Sequence, residues 1–395
     1  MKVIIVGAGL GGLTLGNLLH ASNKNIHFQI YERDADSSSR SQGYSISMKE
    51  PGGLVPLRRL GLYEDTLKFS SVIEKFSFIT PAGKPLLTLQ ENPGSPQTLR
   101  VPRHELRSLL LRNIEKQVAF DVPCLGFTER DGKPVVSLAD GREESADLLV
   151  ACDGVNSAIR QQMIGDSPRY LGMSSISGVI SVAQDYPLLA GGSVMVIGNG
   201  VALFLLKEDG AVAWSLSLRA QKGELDGISR SVLKERAVAA TQHWLSPIPE
   251  FVQQTDPEAL IIRGYYDKDP LTFAHQGKVV LLGDAAHPMS PFRGEGANMA
   301  MLDALSLADL LTQVQPESGD AMIARWESEM LTRTRKAVLE SRRAAVEMHD
   351  ANALSVAFRN TKWRLFDKLL SLAAQGQQTR ARRALNGSGN IRPSQ

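Results

Sequence analysis

Three glycines, at 7, 9 and 12, follow directly on the apolar run Val3–Val6 and leave this chain few ways to begin folding. The run reads as a buried strand and Leu10–His20 as a helix. His27–Glu32 (HFQIYE) reads as a second strand, which completes a β-α-β unit of about 30 residues. In that context G-x-G-x-x-G has a physical meaning. Gly7 allows the tight turn, Gly9 keeps side chains away from a pyrophosphate, and Gly12 lets the helix lie close to the strand. The helix start then offers unpaired N–H groups and partial positive charge to phosphates. Glu32, twenty residues after Gly12, ends the second strand where a carboxylate can accept hydrogen bonds from ribose hydroxyls. An acid there fits FAD or NAD and disfavours a 2′-phosphate.

Two later strings repeat the pattern of an apolar strand delivering a carboxylate at its C-terminal end. In Ala146–Arg160 (ADLLVACDGVNSAIR) the acid is Asp153, Gly154 makes the turn, and Ser157 and Arg160 follow on a helix. In Lys278–Asn298 the strand KVVLL delivers Asp284. The loop His287-Pro288-Met289-Ser290-Pro291-Phe292-Arg293-Gly294-Glu295-Gly296 then leads into a helix beginning near Ala297 and Asn298. Ligands bind outside the carboxyl ends of strands in such sheets. The second helix start suits an anion that forms in only one state, such as reduced flavin. His287 is expected to hold the loop by hydrogen bonding rather than to act in catalysis.

Between the second and third strings the texture changes. From about Tyr170 to Tyr266, strand-like runs (GVISVA, SVMVIG, VALFLL, AVAWSLSL, LIIRGYY) are punctuated by Asn199-Gly200 and Asp209-Gly210, which predicts an inserted antiparallel sheet. Pro134–Leu138 and Ala146–Cys152 read as strands flanking the Asp140-Gly141 turn. His104–Gln117 reads as an amphipathic helix with Leu106, Leu109, Leu110 and Ile114 on one face. Helices are predicted over Ala297–Val314 and from Ala321 to about Asp350. The segment from Gln375 lacks hydrophobic periodicity and is expected to be a flexible tail whose arginines are solvated.

Composition narrows the functional classes. The 395 residues carry 44 Lys+Arg against 42 Asp+Glu, a formal charge of +2, too balanced overall to point to nucleic acid or an anionic membrane. Two cysteines, Cys124 and Cys152, exclude a disulfide framework and any C-x-x-C metal or redox motif. The glycines interrupt what would otherwise resemble a signal peptide, and no transmembrane run is present, so a cytoplasmic protein is expected.

Taken together the three strings resemble the class A flavoprotein monooxygenases, the family of para-hydroxybenzoate hydroxylase and the tetracycline-inactivating monooxygenases, over roughly residues 1–350. The resemblance implies an α/β fold: a Rossmann-like FAD-binding domain (1–70, 100–165 and 275–345) with an inserted antiparallel-sheet substrate domain (71–99 and 166–274). C-terminal helices follow (346–375), then a tail (376–395). It implies non-covalent FAD held by Gly7, Gly9, Gly12, Glu32, Arg33, Arg103, Asp153, Gly154 and Asp284. Pro291, Gly294, Gly296, Ala297 and Asn298 would lie beside the isoalloxazine. Gly43 and Arg40, in the loop after the first β-α-β unit, would pass the flavin. NADPH or NADH would serve as transient co-substrate and O2 as oxidant. One oxygen atom would pass from a flavin C4a-hydroperoxide to an aromatic or polycyclic small molecule. No metal is implied.

Candidate substrate contacts are Trp214 and Phe204 in the inserted sheet, and Met289, Phe292 and Arg293 in the third loop. Trp214 is expected to line a pocket, with Phe204 in the core. Arg293 stands where the family often has a small residue, and Glu295 where it often has Gln. The arginine is open to pairing with Glu295, to anchoring an acidic substrate, or to neutralising reduced flavin. Two competing readings are weaker. A flavin-dependent halogenase would carry W-x-W-x-I-P, which Trp244–Pro249 does not match. A non-catalytic regulator on the same fold, as in the GDP-dissociation inhibitors, need not keep the Asp284–Asn298 string.

Overall fold

The computed structural model describes residues 1–395 except 23, 40–44, 91–96, 209, 313–318 and 388–395, with no side-chain description at 319–320 and 374–387. It comprises two units, one of residues 1–72, 96–172 and 264–346, the other of 73–95, 173–263 and 347–395.

The first unit is built on a six-stranded sheet. Its order is His275–Gln276, Val279–Leu281, Leu148–Ala151, Lys2–Val6, His27–Tyr31, Val118–Ala119. Lys2–Val6 pairs in parallel with His27–Tyr31 on one side and Leu148–Ala151 on the other, and Val279–Leu281 continues in parallel beyond. Strands buried on both faces read as continuous apolar runs, as VIIV, LLVA and VVL do. Their register sets Val6 beside both Tyr31 and Ala151, and Ala151 beside Leu281. The four strands therefore end together, and the residues that follow each of them emerge at one edge. The Leu10–Ala21 and Arg103–Arg112 helices pack their leucines into the same core.

The Asp140-Gly141 turn differs from expectation. It closes a hairpin between Lys133–Leu138 and the short strand Glu143–Ser145, while Leu148–Ala151 belongs to the central sheet. Tight two-residue turns pair only their immediate neighbours, and three residues suffice here.

The second unit is a seven-stranded sheet in the order Ile261–Asp267, Arg169–Ser181, Ala211–Arg219, Val201–Glu208, Gly192–Ile197, Lys75–Ile79, Pro85–Gln90. Asn199-Gly200 makes the expected hairpin between Gly192–Ile197 and Val201–Glu208. The sheet is mixed rather than wholly antiparallel, because Lys75–Ile79, arriving from a distant part of the chain, pairs in parallel with Gly192–Ile197. The helix Ala353–Gly387 reaches well past the start of the expected flexible tail, although that segment lacks an apolar period. Its Ala, Gln, Arg and Leu are strong helix formers, and propensity outweighs the missing pattern.

Trp214 does not line a pocket, and Phe204 lies apart from it. Trp214 is 1% exposed, packs with Leu203, Leu205, Leu216, Phe251 and Val252, and donates its Nε1–H to Thr255 Oγ1 at 2.8 Å. Its cross-strand partner is Gly178, where a Cβ would lie 3.0 Å from the indole and 2.6 Å from Thr255 Cγ2, so the glycine makes room for the ring. Phe204 lies on the opposite sheet face, half-buried, stacked on Phe76 with centroids 6.0 Å apart. Alternation along a strand shows which residues share a face, but not which face the helices cover. Trp214 is a core residue, and replacing it by Ala is expected to cost roughly 3–5 kcal/mol of unfolding free energy in a denaturant titration. A loss of less than about 1 kcal/mol would place the ring outside the core.

Candidate active site

At the shared strand edge, backbone approaches backbone more closely than side chains permit. Gly7 has φ +102°, and a Cβ on it would stand 2.4 Å from the Cys152 carbonyl oxygen; one on Gly12 would stand 2.1 Å from the Gly7 oxygen. Gly7 N donates to Tyr31 O at 2.7 Å and Cys152 N to Val6 O at 2.7 Å, knitting the turn to both neighbouring strands. Gly9 is different, since a Cβ there would meet nothing within 4 Å. Its backbone faces open space at the start of the Leu10–Ala21 helix, whose first N–H groups lack intrahelical partners.

Glu32 is 5% exposed. Its Oε2 accepts from Ala8 N at 2.7 Å and its Oε1 from Asp34 N at 3.0 Å. The carboxylate thus clamps the glycine turn to the second strand, and each oxygen retains a lone pair for a further donor. A residue outside the expected set completes the clamp. Arg107, 5% exposed, donates from Nε to Ala8 O at 3.1 Å and from its guanidinium to Ser37 O at 2.7 Å. The signal was an arginine placed directly beside Leu106 on the apolar face of an amphipathic helix, which needs a polar partner to be buried. Arg103, by contrast, opens that helix and is half-buried.

Asp153 sits at the end of the Leu148–Ala151 strand. Its Oδ2 accepts from Ala158 N at 3.0 Å, while its Oδ1 is buried with no partner. Burial pushes this carboxyl above its ordinary range, against the pull of hydrogen bonds from Ser157, from its own N–H and from Ala158, and of the Arg33 charge. Arg33 itself is exposed. Gly154 has φ +84° with open space where its Cβ would be. Ser157 caps the Ala158–Ile164 helix, accepting from Arg160 N at 3.0 Å. Arg160 is fully buried. It forms a two-point ion pair with Asp166 and donates to the Ala285 and Ala286 carbonyls at 3.0 and 2.6 Å. The S-x-x-R of the second string is therefore the support on which the third string rests.

That third string runs through Asp284, the one exposed residue among the buried Gly283, Ala285 and Ala286. Its Oδ1 lies 3.7 Å from the point where a Cβ on Gly296 would stand, at the start of the Gly296–Thr312 helix. His287 is 3% exposed and bonds through Nε2 to Asp303 at 2.5 Å; Arg333 donates to the same carboxylate at 2.7 Å. It is a loop-holding residue. Pro291 and Arg293 lie in a single exposed 3-10 turn that ends at Gly294, φ +64°, where a Cβ would again meet nothing. Phe292 packs edge-on against Tyr265 at 5.1 Å, and Met289 accepts from Ser341 Oγ at 3.8 Å.

Asn298 keeps its place at the helix start, and one alternative for Arg293 closes. Asn298 spends its whole side chain on the protein, accepting from Lys49 N and Gly53 N at 3.2 and 2.8 Å and donating to Ser47 O and Gly294 O at 2.8 and 3.1 Å. It braces the helix start, where its neighbours Gly296 and Ala297 are half-buried. Arg293 pairs with Glu340 at 3.1 Å, and Glu295 pairs with Lys49 at 2.5 Å, so the two do not pair with each other. Arg40 and Gly43 lie outside the described residues.

The donor set fits FAD on its own geometry. The open backbone at Gly9, the open positive-φ turn at Gly154, the unpartnered Asp153 oxygen and the exposed Asp284 carboxylate all follow strands that end at one sheet edge.

The FAD binding domain family matches residues 1–199 and 268–341. Over 322 residues the chain is 31% identical to the aurachin C monooxygenase/isomerase of Stigmatella aurantiaca, covering 79% of this chain and 81% of that protein. It is 29% identical over 365 residues to the 3-amino-4-hydroxybenzoate 2-monooxygenase of Streptomyces cremeus, covering 88% of each. In fold it is similar to Klebsiella pneumoniae HpxO complexed with FAD and uric acid. That match has TM-score 0.82 and 23% identity, over 95% of this chain and 96% of that one.

The two glycines separate folding from binding. Gly12→Ala is expected to destabilise the fold, because its clash is with backbone. Gly9→Ala is expected to keep the wild-type melting temperature and lose roughly tenfold or more in FAD affinity, a change of about 1.4 kcal/mol or more. Titration of the flavin-free protein with FAD measures both, and wild-type affinity in Gly9→Ala would remove that backbone from the site.

Proposed function

Given that the chain belongs to the FAD binding domain family, we propose that it is an NAD(P)H- and FAD-dependent monooxygenase of aromatic or polycyclic small molecules. The balanced reaction is substrate C–H + O2 + NAD(P)H + H+ → substrate C–OH + NAD(P)+ + H2O. The observation that carries the reading is the convergence of three carboxylates, Glu32, Asp153 and Asp284, with the open glycines Gly9 and Gly154 at the ends of adjoining parallel strands.

Bound FAD supplies the redox chemistry, taking two electrons from reduced nicotinamide and activating O2. The chain's own residues bind and orient. Gly9 and the Leu10–Ala21 helix start take the pyrophosphate, and Glu32 takes the adenosine ribose while holding the Ala8 N–H. Asp284 accepts from the sugar-alcohol hydroxyls. The Gly296–Thr312 helix, with Gly296 and Ala297 at its start, directs N–H groups and positive dipole toward negative charge on the reduced ring. Cys152 does not compete for a covalent link, because burial raises its thiol pKa well above the ordinary value and suppresses the thiolate.

Met289, Phe292 and Arg293 in the first unit are assigned to substrate. The aromatic class is supported by relatives such as the 3-amino-4-hydroxybenzoate 2-monooxygenases.

Asp284→Ala is expected to lower FAD affinity by about tenfold or more, the loss of a charged hydrogen bond of roughly 1.5–3 kcal/mol, with the flavin-free melting temperature unchanged. Asp284→Asn should fall between the two. Unchanged affinity in a folded Asp284→Ala protein would remove this carboxylate from the site. The reaction itself is tested with a panel of phenols, hydroxybenzoates and aminohydroxybenzoates. A true substrate stimulates NADPH or NADH oxidation and yields a product heavier by one oxygen atom. Stimulated oxidation that yields only hydrogen peroxide across the whole panel would contradict the substrate class.

A further inference from the structure

The Ala353–Gly387 helix has two unlike faces. One face is anchored within its own unit. Arg359, 3% exposed, donates to the Gly198 and Glu347 carbonyls, and Trp363 packs edge-on against Phe78 at 5.1 Å. Asp367 accepts from Thr88 N at 2.7 Å. Spacings of four residues put these three on one side of the helix.

The opposite side carries Leu354, Phe358, Leu365, Leu369 and Leu372, exposed by 83, 72, 59, 56 and 64%. Steps of 4, 7, 4 and 3 keep them within a single stripe at 100° per residue, directly away from the anchored face. A run of exposed leucines this long marks an interaction surface rather than scattered surface apolarity.

The charge along the helix identifies what fits it. Besides the buried Arg359, the segment Ala353–Gly387 holds six basic residues, Lys362, Arg364, Lys368, Arg380, Arg382 and Arg383, against one acid, Asp367. That local excess is larger than the formal charge of +2 on the whole chain, so the near balance of the full sequence conceals a segregated positive helix. Lys362 and Lys368 flank the stripe on its two sides, Lys362 also reaching Glu347 at 2.5 Å. A second copy of this helix would bring like charges together across the leucines. Nucleic acid would answer the arginines but leave the leucines in water.

We propose that this helix is an interfacial anchor that lies on an anionic lipid surface, its leucine stripe in the acyl boundary and the flanking Lys362 and Lys368 among the headgroups. The helix rests on the surface and does not cross it; no helix among the described residues is long and apolar enough to span a membrane.

The test uses the full-length, FAD-loaded protein and sedimentation with vesicles of phosphatidylcholine alone or mixed with phosphatidylglycerol. Binding is expected to the mixed vesicles at low salt and to drop several-fold in pure phosphatidylcholine and at high ionic strength. Arg380→Ala/Arg382→Ala/Arg383→Ala should weaken binding by about tenfold or more. Phe358→Gln/Leu365→Gln/Leu369→Gln should abolish insertion while keeping the bound flavin spectrum and melting temperature. Absence of binding to the mixed vesicles would overturn the proposal, as would full binding by the glutamine variant. A wild-type dimer in sedimentation velocity that the glutamine variant turns into a monomer would assign the stripe to a second copy instead. Binding of duplex DNA as tight as that of the vesicles, and unchanged in the glutamine variant, would assign the charge to nucleic acid.

Discussion

The carbonyl oxygen of Cys152 occupies the space a side chain on Gly7 would need, and the carbonyl of Gly7 occupies the space of one on Gly12. These two backbone contacts are what the rest of the first unit is arranged around. They draw the first strand, its helix and the Leu148–Ala151 strand together. In parallel register, the acids that follow those strands then emerge at one edge. A Cβ at either position would push the strand ends apart. Gly9, between them, serves the opposite purpose, since its missing side chain leaves space rather than filling it.

Charge is buried here to hold loops. Glu32 and Arg107 grip Ala8 from its two sides, one through the N–H and one through the carbonyl. Arg160 ties the second string to the third through the Ala285 and Ala286 carbonyls, and its partner Asp166 also accepts from the buried Lys268 at 3.0 Å. Burial pushes the Asp166 carboxyl up, but its bonds to Arg160 and Lys268 outweigh this and hold it below its ordinary range. Removing one partner of such a cluster leaves an uncompensated buried charge, a larger penalty than the net worth of the pair. The loops are thus fixed by groups that would be costly to leave alone, which suits a surface that must present backbone N–H groups in set directions.

Much of this was legible in the amino-acid string because it depends on short-range sterics. A strand, a glycine at a fixed offset and a helix start constrain one another over a dozen residues, and the three strings each carried that pattern. What was not legible depends on long-range pairing. The place of Asn298 at a helix start was legible, but not that its amide is filled by Ser47, Lys49, Gly53 and Gly294, three of them some 250 residues away. Arg293 and Glu295 are neighbours in sequence but pair outward, with Glu340 and Lys49. Trp214 shared its strand face with the expected residues, but only the helix carrying Phe251 and Thr255 decided that the face was interior. Arg107 was legible as a misplaced charge on an apolar face, though not as the partner of Ala8.

The central claim is that the strand edge holds an FAD that directs one atom of O2 into a small molecule. The most direct measurement is the origin of the oxygen in the product once a turning-over substrate is in hand. With isotopically heavy O2 in ordinary water, the account predicts one heavy oxygen atom in each product molecule, matched by one NAD(P)H consumed. Product oxygen drawn from water, or product formed at the same rate without O2, would contradict it.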